Sequence, residues 1–434
     1  MPNSSDLKTP TFREALRFWL KLGFISFGGP AGQIAIMHTE LVEKKRWIEE
    51  HRFLHALNFC MLLPGPEAQQ LAIYIGWLLH RTWGGIVAGA LFVLPSVGVL
   101  WGLAYIYMVW GEVAWVAAIF AGLKPAVLAV VVAAVLRIGR KSLKNAVMLG
   151  LAAAAFMGIF FFKVPFPLII LGAGVLGWIG SRVWPEYFVI VRGHGGTPGA
   201  PSAEVMEPGG PAPTWRRSLR VVILCLILWA TPILLAGSTL GWKHTVTEQG
   251  LFFSKVAMVT FGGAYAVLPY VAQAAVEQQG WLAPAQMLDG LGLAETTPGP
   301  LIMVVQFVGF VGAWQNPDGL SPLLAATLGA LLTTWVTFVP CFLWIFLGAP
   351  YIERLHGNER VAGALSTITA AVVGVILNLA VWFGLHVLIP EGRPDWTGIV
   401  ICAVALLAMV RWKVDVLWII AASALLGLAV FWLS

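Results

Sequence analysis

Phe18, Lys21, Phe27-Gly28-Gly29, Glu43, Trp47 and Pro64-Gly65-Pro66 recur in the second half of the chain as Phe252, Lys255, Phe261-Gly262-Gly263, Glu277, Trp281 and Pro298-Gly299-Pro300. A constant offset of 234 residues aligns all ten positions without a gap. Ten identities in register over about fifty residues mark an internal duplication. In an apolar chain, a duplication of this kind points to a membrane transporter built of two repeats.

The composition fits that setting. Of 434 residues, 59% are hydrophobic and 11% charged, whereas a soluble domain carries about 25% charged residues to wet its surface. The runs Gly84 to Met108, Val113 to Leu136, Leu323 to Leu347 and Val361 to Leu388 are each long enough to cross a hydrocarbon core of about 30 Å. The first ten residues are polar, and Lys8, Arg13 and Arg17 precede the first apolar stretch, which is not the layout of a cleaved signal peptide. Cys60, Cys225, Cys341 and Cys402 are scattered through apolar segments without a CxxC spacing, so neither a disulfide framework nor a metal site is expected. The net charge of +6 comes from bases that flank apolar spans. It is a topology signal and not a nucleic-acid footprint.

Val191 to Thr214 is rich in Gly, Pro, Ala and Ser and reads as a flexible linker. Arg182, Arg192, Arg216, Arg217 and Arg220 surround it, which places it in the cytoplasm. In the first half, Lys44, Lys45, Arg46 and Arg52 form one basic loop and Arg137, Arg140, Lys141 and Lys144 another, while the turn at Trp110-Gly111-Glu112 has no base. In the second half the bias swaps. Ala272 to Gln286 has no Lys or Arg, the turn matching Trp110 to Glu112 holds Arg354 and Arg360, and Pro390 to Trp396 has two acids and one Arg. Opposite bias at three corresponding loops is what an inverted pair of repeats shows, with charge drift between parallel repeats as the alternative. Inversion needs an odd number of crossings, and Leu219 to Leu240 supplies the extra helix.

The basic loop at Lys44 to Arg52 and the turn at His80-Arg81 share a side, so Phe53 to Leu79 must enter and leave on the same face. Proline removes a helix donor and glycine permits left-handed backbone. A helical hairpin turning at Pro64-Gly65-Pro66 is therefore expected, and its twin, Met287 to Ala313, turns at Pro298-Gly299-Pro300. Leu16 to Met37 is expected to break at Phe27-Gly28-Gly29-Pro30, with a matching break at Phe261-Gly262-Gly263; a tilted or in-plane helix is the competing account. Breaks at membrane depth are tolerated where protein or a water-filled cavity satisfies the freed backbone. Four breaks in duplicate suggest a central cavity with helix N-termini aimed into it, which suits an anion. Kinks in packed helices are the plainer alternative.

The candidate substrate-binding residues follow from that geometry. Lys21 and Lys255 are cations at equivalent places inside apolar segments, functional candidates by position unless they snorkel to the interface. Gln69, Gln70, Thr296 and Thr297 offer amide and hydroxyl donors beside the turns formed by Pro64, Gly65, Pro66, Pro298, Gly299 and Pro300, with Asn58 and Gln306 nearby. Gly28, Gly29, Gly262 and Gly263 supply the breaks. Glu67 and Glu295 cannot attract an anion while ionised; burial favours the neutral acid, so they are candidates for proton coupling or, alternatively, for structural caps. Lys124, before Pro125, has no basic twin and is a weaker candidate, and His38 reads as a surface histidine.

These motifs resemble the chromate ion transporter (CHR) family in its two-domain form. The carriers are Phe27-Gly28-Gly29-Pro30, Pro64-Gly65-Pro66 with Glu67 and Gln70, Phe261-Gly262-Gly263, and Glu295-Thr296-Thr297-Pro298-Gly299-Pro300. The resemblance covers nearly the whole chain. It implies a bacterial inner-membrane exporter of chromate that confers resistance, with sulfate, an isosteric dianion, as a related substrate.

The expected fold class is an all-α polytopic membrane protein with two inverted-topology repeats. Each repeat has about four spanning helices plus broken or re-entrant hairpins, and a cytoplasmic linker and one extra helix join them. The expected boundaries are 1–185 for the first repeat, 186–217 for the linker, 218–242 for the connecting helix and 243–434 for the second repeat. The N-terminus and linker are expected in the cytoplasm and the C-terminus in the periplasm. No cofactor, metal or nucleic acid is expected; the partners are the anion and the lipid bilayer, and the chain is compatible with a homodimer although a monomer suffices. A passive anion channel is the alternative of a different class. An enzyme is disfavoured by the lack of HExxH, GxSxG, clustered Cys/His or a P-loop.

Overall fold

The computed structural model describes residues 8–27, 29–189, 214–349 and 359–433. Gly28, most of the expected linker and the turn holding Arg354 lie outside the described residues. Among the described residues every regular element is helical, and seven helices are long and apolar enough to cross a membrane. The chain is an all-α polytopic membrane protein.

The first half runs α1 (Phe12–Ile25), α2 (Gly29–His38), α3 (Glu50–Cys60), α4 (Glu67–Trp110), α5 (Ala114–Ser142), α6 (Ala146–Phe160) and α7 (Phe166–Val183). α8 (Trp215–Thr239) follows, and the second half runs α9 (Thr245–Val259), α10 (Ala264–Ala272), α11 (Pro284–Thr296), α12 (Val304–Gln315), α13 (Pro322–Gly348), α14 (Glu359–Leu388), α15 (Trp396–Arg411) and α16 (Val416–Leu433). Local chemistry sets several starts. Thr11 and Glu14 form a capping box on α1, and Asn145, Thr214 and Asp395 cap α6, α8 and α15 with their side chains.

The duplication is visible in the helix boundaries. α2 and α10 each run into a π-helical turn, Thr39–Lys44 and Gln273–Gln278, and these two turns begin and end 234 residues apart. The repeated aromatics explain themselves here: Phe18 meets Trp47 edge-on at 5.4 Å, and Phe252 meets Trp281 edge-on at 5.8 Å. The Trp47 amide donates to Leu41 and the Trp281 amide to Ala275, again at matching positions. These residues clasp each broken segment to the turn that follows it.

Both proline-flanked tripeptides interrupt the helical run. α3 ends at Cys60 and α4 starts at Glu67; α11 ends at Thr296 and a single 3-10 turn from Leu301 leads into α12. The long α4 is two helices in one. His80 (φ −138°, ψ 30°) and Arg81 (φ 53°, ψ −146°) leave helical geometry and divide the returning hairpin arm from the spanning helix. One expectation needs adjusting: Arg137, Arg140 and Lys141 belong to the last turns of α5 and not to a loop.

The halves are interlocked. α5 packs on α15 and α16 of the second half, and α14 packs on α6 and α7 of the first. Glycine lets these crossings close. A Cβ at Gly122 would lie 2.2 Å from the Ser423 carbonyl oxygen, and one at Gly427 2.3 Å from that of Ala118. At the matching crossing, a Cβ at Gly177 would lie 2.5 Å from the Gly363 oxygen and one at Gly363 2.8 Å from the Gly177 oxygen. Burial is graded from centre to rim. Val304 to Ala313 of α12 is buried on all sides, whereas α8 buries only Cys225, Ile233 and Gly237. A helix apolar all round yet exposed to this degree faces lipid.

Candidate functional site

Each proline-flanked turn meets the broken segment of the opposite half. Ser26 and Thr260 end the helices before the breaks, 234 residues apart, and both are buried. Each hydroxyl donates to the carbonyl four residues back, Ser26 Oγ to Leu22 and Thr260 Oγ1 to Val256, both at 2.6 Å. Their own carbonyls, freed by the break, accept from the opposite half. The Gly65 amide donates to Thr260 at 2.7 Å, and the Gly299 amide donates to Ser26 at 2.8 Å. The backbone cost of interrupting a helix at depth is thus met by the partner repeat's turn. Reciprocal bonds between equivalent residues are the mark of a two-fold relation.

Each turn also has a matched wall. Gly65 (φ +123°) faces Gln70 and Cys341, and Gly299 (φ +104°) faces Ser96. Ser96 follows Pro95 in α4, and Cys341 follows Pro340 in α13. Side chains break the symmetry. Gln33 of α2, buried, donates through Nε2 to the Gly299 carbonyl at 2.5 Å, and its equivalent in the second half is Val267. Gln70 Nε2 donates to Pro64 O at 2.7 Å, closing its own turn. Gln33 Oε1, Gln69 Oε1, Gln70 Oε1 and Ser96 Oγ are buried without a protein partner. Orphaned polar atoms beside each of the two turn-to-break contacts are places for water or ligand.

Pro64, Gly65, Pro66, Gln69, Gln70, Pro298, Gly299 and Pro300 are therefore brought together with the breaks at Gly29, Gly262 and Gly263. Thr296 and Thr297 lie at the second turn, but their hydroxyls donate to helix carbonyls, Thr296 to Leu293 at 2.9 Å and Thr297 to Ala294 at 3.3 Å. In this state they offer lone pairs rather than protons. Lys21 and Lys255 occupy exposed sides of α1 and α9, and no hydrogen bond or ion pair among the described residues ties either to the turns. Glu67 opens α4 beside the first turn and is half-buried. Glu295, 4% exposed, accepts a short hydrogen bond from the Tyr265 hydroxyl of α10, with Arg137 of α5 in electrostatic reach. The two glutamates are not equivalents: Glu67 matches Leu301 and Glu295 matches Met61.

Sequence matching missed Ser26 and Thr260 because they differ in identity, although both place a hydroxyl directly before Phe-Gly-Gly. It also missed Asp289, an acid inside an apolar helix, whose 2% exposure makes it one of the most deeply buried charges among the described residues. The rule that flags intramembrane charges would have found it. His38 is more constrained than a plain surface histidine, since its ring bridges Glu43 at 3.1 Å and Glu50 at 2.6 Å.

The model of the family described as "Chromate transporter" matches residues 13–178 and again 247–428, so most of the chain is covered by two copies of one pattern. The chain belongs to the chromate transporter family. A chromate transport protein of Cupriavidus metallidurans is 28% identical over 428 residues, covering 98% of this chain and 94% of the relative. One of Pseudomonas aeruginosa is 29% identical over 434 residues, covering 95% and 91%. An uncharacterized transporter of Bacillus subtilis, YwrB, is 30% identical over 139 residues, which is 71% of that protein but 32% of this chain. No solved structure matches.

Proposed function

We propose that the chain is a secondary active transporter that exports chromate, a tetrahedral dianion, from the cytoplasm across the bacterial inner membrane and so confers chromate resistance. The relatives named chromate transport proteins cover more than nine-tenths of the chain at both length scales, which favours this substrate. The observation that carries a transport mechanism is the reciprocal bonding of Gly65 to Thr260 and of Gly299 to Ser26. A central locus made by turns and breaks from both halves gives a site that rocking of one half on the other opens to either side.

The repeats lie inverted across the bilayer in this reading. Between α1 and α9 the chain crosses through the spanning part of α4, then α5, α6, α7 and α8; five crossings are odd, so equivalent points fall on opposite faces. α6 has 15 residues, about 22 Å at the usual rise, and crosses with local thinning of the bilayer. Residues 1–185 and 243–434 are then the repeats, 186–217 the linker and 218–242 the connecting helix. The N-terminus and linker face the cytoplasm and the C-terminus the periplasm. The anion binds among the turn and break residues, with Lys21 and Lys255 supplying positive potential along its path and Glu67 and Glu295 carrying protons. No covalent chemistry is involved.

The deciding experiment is uptake of labelled chromate into inverted vesicles, with proton and sodium gradients imposed separately and sulfate as competitor. Accumulation above the medium concentration, driven by a proton gradient, is expected. Equilibration without accumulation makes the protein a passive anion channel. Uptake of sulfate untouched by chromate reassigns the substrate, and no anion movement at all rejects the reading.

A further inference from the structure

The second charged locus inside the helical core lies away from the turns. Asp289 sits on α11 with its side chain 3% exposed, and Lys124 of α5 places its Nζ 3.6 Å from Asp289 Oδ2. The Tyr107 hydroxyl of α4 donates to the same oxygen at 2.9 Å. Oδ1 is buried and has no partner. Lys124 lies ten residues into α5, about 15 Å along the axis and so near the middle of a core about 30 Å thick. Gly292, one turn from Asp289, allows this approach: a Cβ there would lie 2.1 Å from Leu123 and 2.9 Å from Val127 of α5.

Three features argue against a purely structural pair. The contact is long for a charge-assisted hydrogen bond, which runs about 2.7–2.9 Å, so the ammonium is not fully committed to the carboxylate. Lys124 keeps 26% of its side chain exposed while Asp289 is sealed, so of the two charged groups only the cation is left uncovered by protein. And the fold does not require the pair. Asp289 is matched in the other half by His55, and the stretch of α14 that corresponds to Lys124, residues 365–369, is Leu-Ser-Thr-Ile-Thr. Two halves of one architecture are built, and only one carries these charges.

We infer that Lys124 and Asp289 form a charge-exchange pair for the transported oxyanion: Asp289 is the resting counter-ion of Lys124, the arriving dianion takes the ammonium, and Asp289 then binds a proton on Oδ1. The inference rests on the transport reading above. Its balance is simple. The Lys124–carboxylate contact breaks, an ammonium–oxyanion contact forms, and one proton from the aqueous phase neutralises the carboxyl; release of the anion reverses all three. The resting pair is neutral, and in the loaded state the ammonium offsets one of the dianion's two charges while the protonated carboxyl adds none, so the uncompensated charge held at depth is limited to one. The ionisable groups that face Asp289 are Lys124 from α5 and Tyr107 from α4, with none contributed by α12, α14 or α16 among the described residues. Tyr107 is a positioning residue that fixes Oδ2 and leaves Oδ1 for the proton.

The test uses the full chain in proteoliposomes, with labelled chromate as probe and thermal stability measured in parallel. Asp289→Asn is expected to keep downhill anion counterflow within about threefold but to lose at least tenfold in proton-driven accumulation. Lys124→Gln is expected to lose at least tenfold in both, and Lys124→Arg to regain part of the counterflow. The double variant Lys124→Gln/Asp289→Asn removes the charges together and keeps polar groups, so it folds even where a single variant does not. It is expected to be folded and unable to accumulate. Full accumulation by the double variant or by Asp289→Asn overturns the pair while leaving the transport reading intact. A wild-type protein that moves no oxyanion sinks both.

Discussion

The Gly65 amide is held by the Thr260 carbonyl at 2.7 Å, so the hairpin turn of the first half is fastened to the broken helix of the second. The converse bond, Gly299 to Ser26 at 2.8 Å, fastens the second turn to the first break. Each half therefore satisfies the other's interrupted backbone. Displacement of one turn breaks its bond to the helix end of the opposite half. Coupling of the two halves is built into main-chain chemistry and does not depend on any one side chain.

Gly65→Ala and Gly299→Ala should test that fastening. Both glycines have positive φ, +123° and +104°, where an L side chain costs on the order of 1–3 kcal/mol. A Cβ at Gly299 would also lie 2.6 Å from Ser96 Cβ. Each substitution is expected to lower the midpoint of thermal unfolding in detergent, followed by size-exclusion chromatography. Ser96→Gly should recover part of the Gly299→Ala loss and none of the Gly65→Ala loss. Equal recovery in both would mean that contact with Ser96 is not the source of the effect.

Proton handling by the carboxyls predicts a pattern across three variants. Glu67→Gln and Glu295→Gln should abolish the pH dependence of transport in vesicles. Tyr265→Phe keeps the Glu295 carboxyl but removes the hydroxyl that donates to it, so it should shift the profile without abolishing it. Unchanged pH profiles in both glutamine variants would remove these residues from the coupling step.

The interruptions at the glycine- and proline-rich tripeptides were legible because glycine and proline act locally and leave their mark on the sequence. The interlocking was not. Nothing in the text of α5 says that Gly122 closes on Gly427 of α16, 305 residues away. The site was half legible for the same reason. Its backbone parts are spelled by repeated glycines, but Gln33 at the Gly299 carbonyl and Lys124 beside Asp289 are products of tertiary packing. The repeated lysines drew attention through their repetition and their place inside apolar segments, and both occupy exposed helix sides.

The crossing glycines give a stability prediction with an internal control. Gly122→Ala or Gly427→Ala drives a methyl into backbone oxygen at 2.2 or 2.3 Å, and overpacking of this kind costs about 1–3 kcal/mol. Gly98→Ala and Gly102→Ala on α4 meet nothing within 4 Å and should be neutral or stabilising by about 0.5–1 kcal/mol, the helix-propensity gain. Thermal melts of the four purified variants decide it; similar shifts in all four would deny the close crossing.

Outside the spans, Asp318 gives a pH-dependent contribution. It accepts from the Thr245 amide and hydroxyl, both at 2.7 Å, and so tethers the α12–α13 loop to the start of α9. Burial alone raises its pKa, but the two bonds from Thr245 outweigh that and hold the carboxyl below its ordinary range. The sign follows from linkage: the bonded form is the ionised one, so its stabilisation is present above the unfolded-state pKa near 4 and is lost as pH falls through the folded value. With 42% of the side chain exposed, screening limits the effect to less than about 1 kcal/mol. Asp318→Asn should lower stability slightly at pH 7 and match wild type at the lowest pH where the protein stays folded.

Topology is open to direct measurement, because the four native cysteines are all buried and give little labelling background. Lys44 and Gln278 are equivalent positions 234 residues apart, each at the end of a π-helical turn and each exposed. Lys44→Cys and Gln278→Cys can be treated with a membrane-impermeant maleimide in right-side-out and inverted vesicles. With inverted repeats, Lys44→Cys reacts only in inverted vesicles and Gln278→Cys only in right-side-out ones. The same assay on Lys144→Cys and on Phe161→Cys, both exposed and flanking α6, asks whether that 15-residue helix crosses. The two must label from opposite sides, because removing one crossing leaves an even number between α1 and α9 and turns the repeats parallel. Labelling of Lys44→Cys and Gln278→Cys from one face would therefore refute inversion and, with it, the alternating exposure of a shared central site.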